Sequence, residues 1–193
     1  RRRVAGGRRG ERRLTQAWAL ENAVTLTNLY RSGLMSISWA ALTFTPDAEA
    51  VRELRSSWAW LLTGEYTPVL FSILGDAFVQ MQATGAVHWL NTGIGESEPV
   101  AESIEQFREF LVTEKAAEWF MPELVEQLHA AGKVAGVGQC YTYVTLPVFE
   151  EGTYDVENLN AVPAKEHFAI TGQVLREIRG FPNGAKVKLD IAP

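Results

Sequence analysis

Cys140 is the single cysteine of the chain, and His88, His129 and His167 are the only imidazoles that could act as its base. A cysteine nucleophile works as the thiolate, so it needs a base within hydrogen-bond reach, a neighbouring cation or a helix N-terminus. The surrounding segment GVGQCYTYVTLP, residues 136–147, reads instead as the middle of a strand, and Lys133 is the nearest cation. Packing is the stronger reading, because free cysteine is among the most often buried residue types. The three histidines are scattered with no pair at metal-binding spacing. KEH at 165–167 reads as exposed polar residues of a helix. These residues predict no catalytic set, no metal site and no cofactor.

Two glycine-bearing stretches, LNTGIGES at 90–97 and AGKVAGVGQ at 131–139, invite comparison with phosphate-cradling loops. Such a loop offers backbone amides to an anion, and Glu96 and Glu98 would repel the anion that those amides attract. A tight loop needing glycine conformations is the better account. The acidic run is more suggestive. Nine glutamates lie between Glu96 and Glu126, against Arg108 and Lys115 alone. Glu102, Glu105 and Glu109 fall at i, i+3 and i+7, on roughly one helix face. A solvated face is the usual meaning of such a pattern. Like charges at this spacing nevertheless weaken a helix slightly, so a compensating basic partner is the alternative.

Elements must hold these residues in place, and 193 residues suffice for one domain with a sizeable core. With 47% apolar and 21% charged residues the composition is that of an ordinary globular protein. The net charge of -5 is divided unevenly. Residues 1–34 carry eight arginines against Glu11 and Glu21, whereas residues 35–193 carry ten Lys and Arg against 21 Asp and Glu. An acidic body argues against nucleic acid as a direct ligand and suits a basic protein partner. Met35 reads as a start, with residues 1–34 either upstream translated sequence or a native basic extension. Residues 35–193 then form a single domain. No apolar leader core is visible and the apolar runs are too short for a membrane span, so a cytoplasmic location is expected.

The segment at 13–30 has moderate helical spacing. TPDAEAVRELRSSWAWLL, with Thr45 as N-cap and Pro46 at the first helical position, predicts a firmer helix ended by Gly64. YTPVLFSI reads as a strand, followed by a hairpin DAFVQMQ-ATG-AVHWLN turning at Thr84-Gly85. Ser103 and Gln106 form a capping-box pattern opening SIEQFREFLVT, and EKAAEWF and PELVEQLHAA follow as helices broken at Pro122. The strand around Cys140, a loop through 146–163, a helix AKEHFAITGQVLREI and a last short strand AKVKLDI complete the chain. This order predicts an α+β fold, with a mixed or antiparallel sheet of about four to six strands and helices packed against it. Trp119, at the end of an element before Pro122, is expected to be partly exposed.

Four blocks, FSILGDAFVQMQATGAVHWLNTGIGE, EQFREFL with EWFMPELVEQL, GQCYTYVTLPVFEEGTYDVENL and HFAITGQVLREI, resemble in that order the C-terminal domain of type VI secretion DNase-immunity proteins. The first carries the family pattern at Gly75, Asp76, Phe78, Gly85, Val87 and Leu90. The third carries it at Gly138, Cys140, Tyr141, Pro147, Gly152, Tyr154, Glu157 and Asn158. The resemblance spans about residues 66–179. It departs at Glu151-Gly152, where the family has Gly-Gly, and the segment after Met35 is too short for the N-terminal domain of longer members. The resemblance implies a cytoplasmic, non-catalytic protein, without cofactors, that binds a cognate toxin, a basic nuclease, and blocks its active site or substrate surface. On that reading Glu96, Glu98, Glu102, Glu105 and Glu109 with Trp119 are the expected partner-binding residues. A small-ligand or regulatory module of the same fold, with an aromatic pocket formed by Tyr141, Tyr143 and Tyr154, is the alternative.

Overall fold

The structure, a computed structural model, describes residues 37–182 and 184–187. The helix expected at 13–30 and the basic segment 1–34 lie outside the described residues. Strands β1 (Tyr66–Phe71), β2 (Ala77–Met81), β3 (Val87–Asn91) and β4 (Glu96–Ala101) follow one another in the chain. They pair antiparallel in that same order, so each connection is a short hairpin. The β2–β3 turn falls at the predicted Thr84-Gly85, with Gly85 at φ +77°. Strands β5 (Gln139–Tyr143) and β6 (Leu159–Pro163) form a separate antiparallel ribbon. Its Tyr141 amide donates to Ile73 O at 2.8 Å, which fastens the ribbon to the β1–β2 connection.

Among the described residues there are six α-helices: α1 (Trp39–Leu42), α2 (Ala48–Ser57), α3 (Ile104–Phe110), α4 (Lys115–Phe120), α5 (Pro122–Ala130) and α6 (Ala164–Ile178). The fold is α+β, as the order of sequence patterns predicts. Asp47, and not Thr45, caps α2, its carboxylate accepting from the Glu49 and Ala50 amides at 2.9 and 2.8 Å. Pro46 therefore precedes the cap and does not occupy the first turn. Asp47→Ala is expected to lower the unfolding free energy by about 1 kcal/mol, measurable by urea denaturation. The capping box at α3 forms in modified shape. Ser103 Oγ accepts from Gln106 N at 3.2 Å, but Gln106 Oε1 accepts from Glu102 N at 2.7 Å, one residue before the cap.

Two strands depart from the sequence expectation. Residues 96–101, ESEPVA, form β4, a strand the sequence reading does not contain, and residues 159–163, LNAVP, form β6 inside the expected loop. The strand expected over AKVKLDI is not formed at 185–187, and its remainder lies outside the described residues.

Cross-strand partners share a sheet face, so the registers sort the core into two sides. Phe78 pairs with Trp89 and Trp89 with Glu98, while Asn91 pairs with Glu96. That face is covered by α3 and α4: the rings of Phe107, Trp119 and Phe120 lie 5.0, 5.4 and 5.5 Å from the Phe78 ring. On the opposite face Phe71 pairs with Ala77 and Ala77 with Leu90, and Phe168 of α6 lies 6.0 Å from Phe71. Helix α6 also packs on α2 at Gly172, whose backbone leaves no room for a Cβ beside Ser57 O, 2.8 Å away. Each fully buried aromatic of this core is worth roughly 1.5–3 kcal/mol over its exposed state.

Candidate functional site

Asp76 stands just before β2 and is only 5% exposed, so its carboxylate must be satisfied from within. Its Oδ1 accepts from Thr92 N at 2.8 Å and Thr92 Oγ1 at 3.0 Å, and its Oδ2 accepts from Trp89 Nε1 at 3.2 Å. Burial pushes the Asp76 pKa up to about 6, and these hydrogen bonds oppose that rise without cancelling it. Among the described residues no lysine or arginine is ion-paired with it; the ion pairs there join Glu49 to Arg52 and to Lys165, all exposed.

Behind Asp76 the hydrogen bonds continue. Thr92 donates its hydroxyl proton to Asp76, so its oxygen accepts from His167 Nε2 at 3.0 Å. The ring proton therefore sits on Nε2, and Nδ1 accepts from Thr142 Oγ1 at 2.9 Å. His167 is fully buried on α6, and burial lowers its pKa to about 4, against a smaller opposing contribution from the Gly75 backbone. The imidazole is a neutral strut between β3, β5 and α6. Its seat depends on Gly75, where a Cβ would lie 2.3 Å from His167 Nε2. The reading of KEH as exposed polar residues is thus corrected at His167.

In front of Asp76 lies a cavity of about 110 Å³, walled by Trp89, Asn91, Trp119, Met121, Tyr143, Leu74 and Tyr154, with Glu118 beside it. The Tyr143 and Tyr154 rings meet edge to face, 5.6 Å apart and at 84°. Tyr143 is buried and reaches its place because Gly93 has no side chain; a Cβ there would come within 3.1 Å of the ring. Burial, then the nearby Asp76 charge, holds the Tyr143 phenol well above its ordinary pKa, so it remains protonated. Exposure grades outward, from Asp76 at 5% and Trp119 at 6% to Tyr154 at 39%, with Glu118 exposed. Tyr154 and Glu118 therefore mark the mouth. Met121, in the cavity wall, joins α4 to α5 at φ 43°, ψ 60°, the one left-handed non-glycine conformation among the described residues. Such a conformation costs on the order of 1–3 kcal/mol and gathers at functional sites.

Of the residues expected to bind a partner, only Trp119 lines this cavity. Glu96 and Glu98 are exposed on β4, on the sheet face that also carries Asn91 and Trp89. Glu102, Glu105 and Glu109 are exposed at the start of α3 and along it. Trp119 is buried, not partly exposed: it packs against Phe78 and Phe107 and forms part of the cavity wall. Of the three tyrosines of the alternative aromatic pocket, Tyr143 and Tyr154 meet, whereas the Tyr141 hydroxyl donates to Lys133 O. The volume is well below the roughly 300–1,000 Å³ of small-molecule sites, so the cavity is too small to enclose a nucleotide. Cys140 is fully buried in β5, and burial, then the Asp76 charge, raises its thiol pKa. It is a packing residue.

Asp76, Thr92, His167 and Glu118 were not picked out as site residues from the sequence. Asp76 carried one signal, a lone charge in the apolar run LFSILGDAFV, and His167 another, its register with Phe168, Thr171 and Leu175 along α6. A second depression, of about 250 Å³, lies open between α2 and α6 and is lined by Glu49, Arg52, Glu53, Ser56 and Lys165, with Glu49 pairing with both Arg52 and Lys165. No helix among the described residues is long and apolar enough to cross a membrane.

Residues 101–175 match the family described as type VI secretion (T6SS) immunity protein Tdi1, C-terminal. The matched segment runs from the last residue of β4 into α6 and lies within the span of the sequence resemblance. The crystal structure of Atu4351 from Agrobacterium tumefaciens has a similar fold, with a TM-score of 0.50 and 16% identity over 88% of this chain and 83% of that one. No curated protein matches the chain.

Proposed function

We propose, from the type VI immunity family that residues 101–175 match, that this protein is an immunity protein: it neutralises a cognate toxin by binding it and performs no catalysis itself. The family match is the observation that carries this reading. The finer parts are that the toxin is a nuclease, that the protein acts in the cytoplasm where a nuclease finds its substrate, and that it covers the toxin's active site or substrate surface. A nuclease holds a polyanion and is basic around its site. The exposed carboxylates of Glu96, Glu98, Glu102, Glu105 and Glu109 supply the complementary charge.

Co-expression with a candidate toxin from an adjacent gene tests the role directly. Protection of the cells is expected, and continued killing at full expression of the protein rejects the reading. The acidic surface has its own test. Replacing Glu102, Glu105 and Glu109 together with lysine is expected to slow association with the toxin about tenfold or more at low salt and to flatten its salt dependence. Stopped-flow association rates that do not change would place the interface elsewhere.

A further inference from the structure

We propose that the cavity in front of Asp76 is a receptor for one arginine side chain of the bound partner; this rests on the immunity reading for the identity of the partner, but its chemistry stands on the cavity alone. Asp76 is a carboxylate at 5% exposure with no cationic side chain paired to it among the described residues. A buried charge of this kind is ordinarily paired. Its Oδ1 is filled by two donors from Thr92, while Oδ2 accepts only from Trp89 Nε1 and so keeps an open acceptor position.

The remaining walls select what fills that position. Trp89, Trp119, Tyr143 and Tyr154 line a space of about 110 Å³, so the group that enters it is bounded by aromatic side chains. A flat, delocalised cation gains from contact with such rings and is more easily stripped of water than an ammonium. Glu118 and the half-open Tyr154 at the mouth give the approaching group a carboxylate and a ring edge before it reaches Asp76. Glu96 and Glu98, on the same sheet face, extend the negative potential outward. The seat is also rigid before anything enters: Thr92 and Trp89 hold Asp76, His167 holds Thr92, and Gly93 admits the Tyr143 ring. Preorganisation of this sort removes part of the ordering cost of binding.

The test uses the full chain and N-acetyl-arginine methylamide as probe, with the isosteric neutral citrulline derivative and the lysine derivative beside it, followed through the Trp89 indole N–H resonance. Arginine is expected to move that resonance, lysine less, and citrulline not at all. Glu118→Gln, an exposed change, is expected to weaken the arginine response about fivefold, and Tyr154→Ala by a similar factor. Asp76→Asn should abolish it, but that change also disturbs the network behind the cavity, so the two rim variants decide. An arginine response matched by citrulline, exceeded by lysine, or untouched by both rim variants overturns the proposal, as does no response to arginine. Loss of the arginine response with protection intact in cells removes this pocket and leaves the immunity reading. Absence of protection by the unaltered protein removes that reading and leaves the probe titration to judge the pocket.

Discussion

Gly75→Ala is expected to lower the unfolding free energy by about 4 kcal/mol, the sum of two costs that each run to roughly 1–3 kcal/mol. The first is conformational: φ at Gly75 is +93°, a region that side chains other than glycine's rarely occupy. The second is steric. A Cβ would lie 2.3, 2.5 and 2.9 Å from three atoms of the His167 ring, which is fully buried and held at both nitrogens. The ring cannot swing away without breaking its hydrogen bonds to Thr92 and Thr142. Gly64→Ala isolates the first cost, because Gly64 has φ +91° and nothing within 4 Å of the place a methyl would occupy. It should lose only about 1–2 kcal/mol. Thermal unfolding checks both: a drop of about 10 °C is expected for Gly75→Ala, and a melting temperature equal to that of Gly64→Ala would show that the ring gives way freely.

The second large effect is a pair of opposite pH profiles that the unaltered protein conceals. Asp76 has its pKa raised to about 6 in the folded state, against an ordinary value of about 4 when unfolded. Folding therefore takes up a proton between these values, and the contribution of Asp76 to stability falls as pH rises from about 4 to about 6. His167 has its folded pKa lowered to about 4, against an unfolded value of about 6.5. Folding there releases a proton, so its contribution rises with pH across nearly the same window. Each amounts to about 3 kcal/mol at 1.36 kcal/mol per pKa unit, and with both present the slopes oppose each other. His167→Gln should become less stable from pH ~4 to ~6, and Asp76→Asn more stable over that range. Urea denaturation at the two ends of the window measures both. Flat profiles in both variants would contradict the burial of these charges.

The sequence was most legible where local chemistry and tertiary demand agree. Helix α6 follows the predicted AKEHFAITGQVLREI from end to end, because the three- and four-residue spacing of Ala164, Phe168, Thr171 and Leu175 marks its buried face. The β2–β3 hairpin follows Thr84-Gly85 for the same reason. It was least legible at sheet edges. β4 reads ESEPVA, and its two glutamates and proline look like a loop, yet these residue types are what an unpaired edge tolerates. Ribbon strand β6 is hidden likewise by Asn160 and Pro163. Before α2, Thr45 and Asp47 are both good caps, and only the observed bonds to Asp47 decide between them. The glutamates of the expected partner surface are exposed as their charge implies, but Trp119 is drawn inward by Phe78 and Phe107, partners distant in sequence. Asp76 and His167 belong to one network only because β3 brings Thr92 between them, and no local pattern encodes that meeting.

The family match begins at residue 101, and the four-stranded sheet ends there. Phe107, Trp119 and Phe120 nonetheless rest on Phe78, the Tyr141 amide hangs from Ile73 O, and the His167 ring reaches back to Thr92. The matched segment thus does not stand alone mechanically. It behaves like an arch whose abutment is the sheet. The sheet and its connections supply three bearings for it: an aromatic knob at Phe78, a carbonyl at Ile73 and a hydroxyl at Thr92.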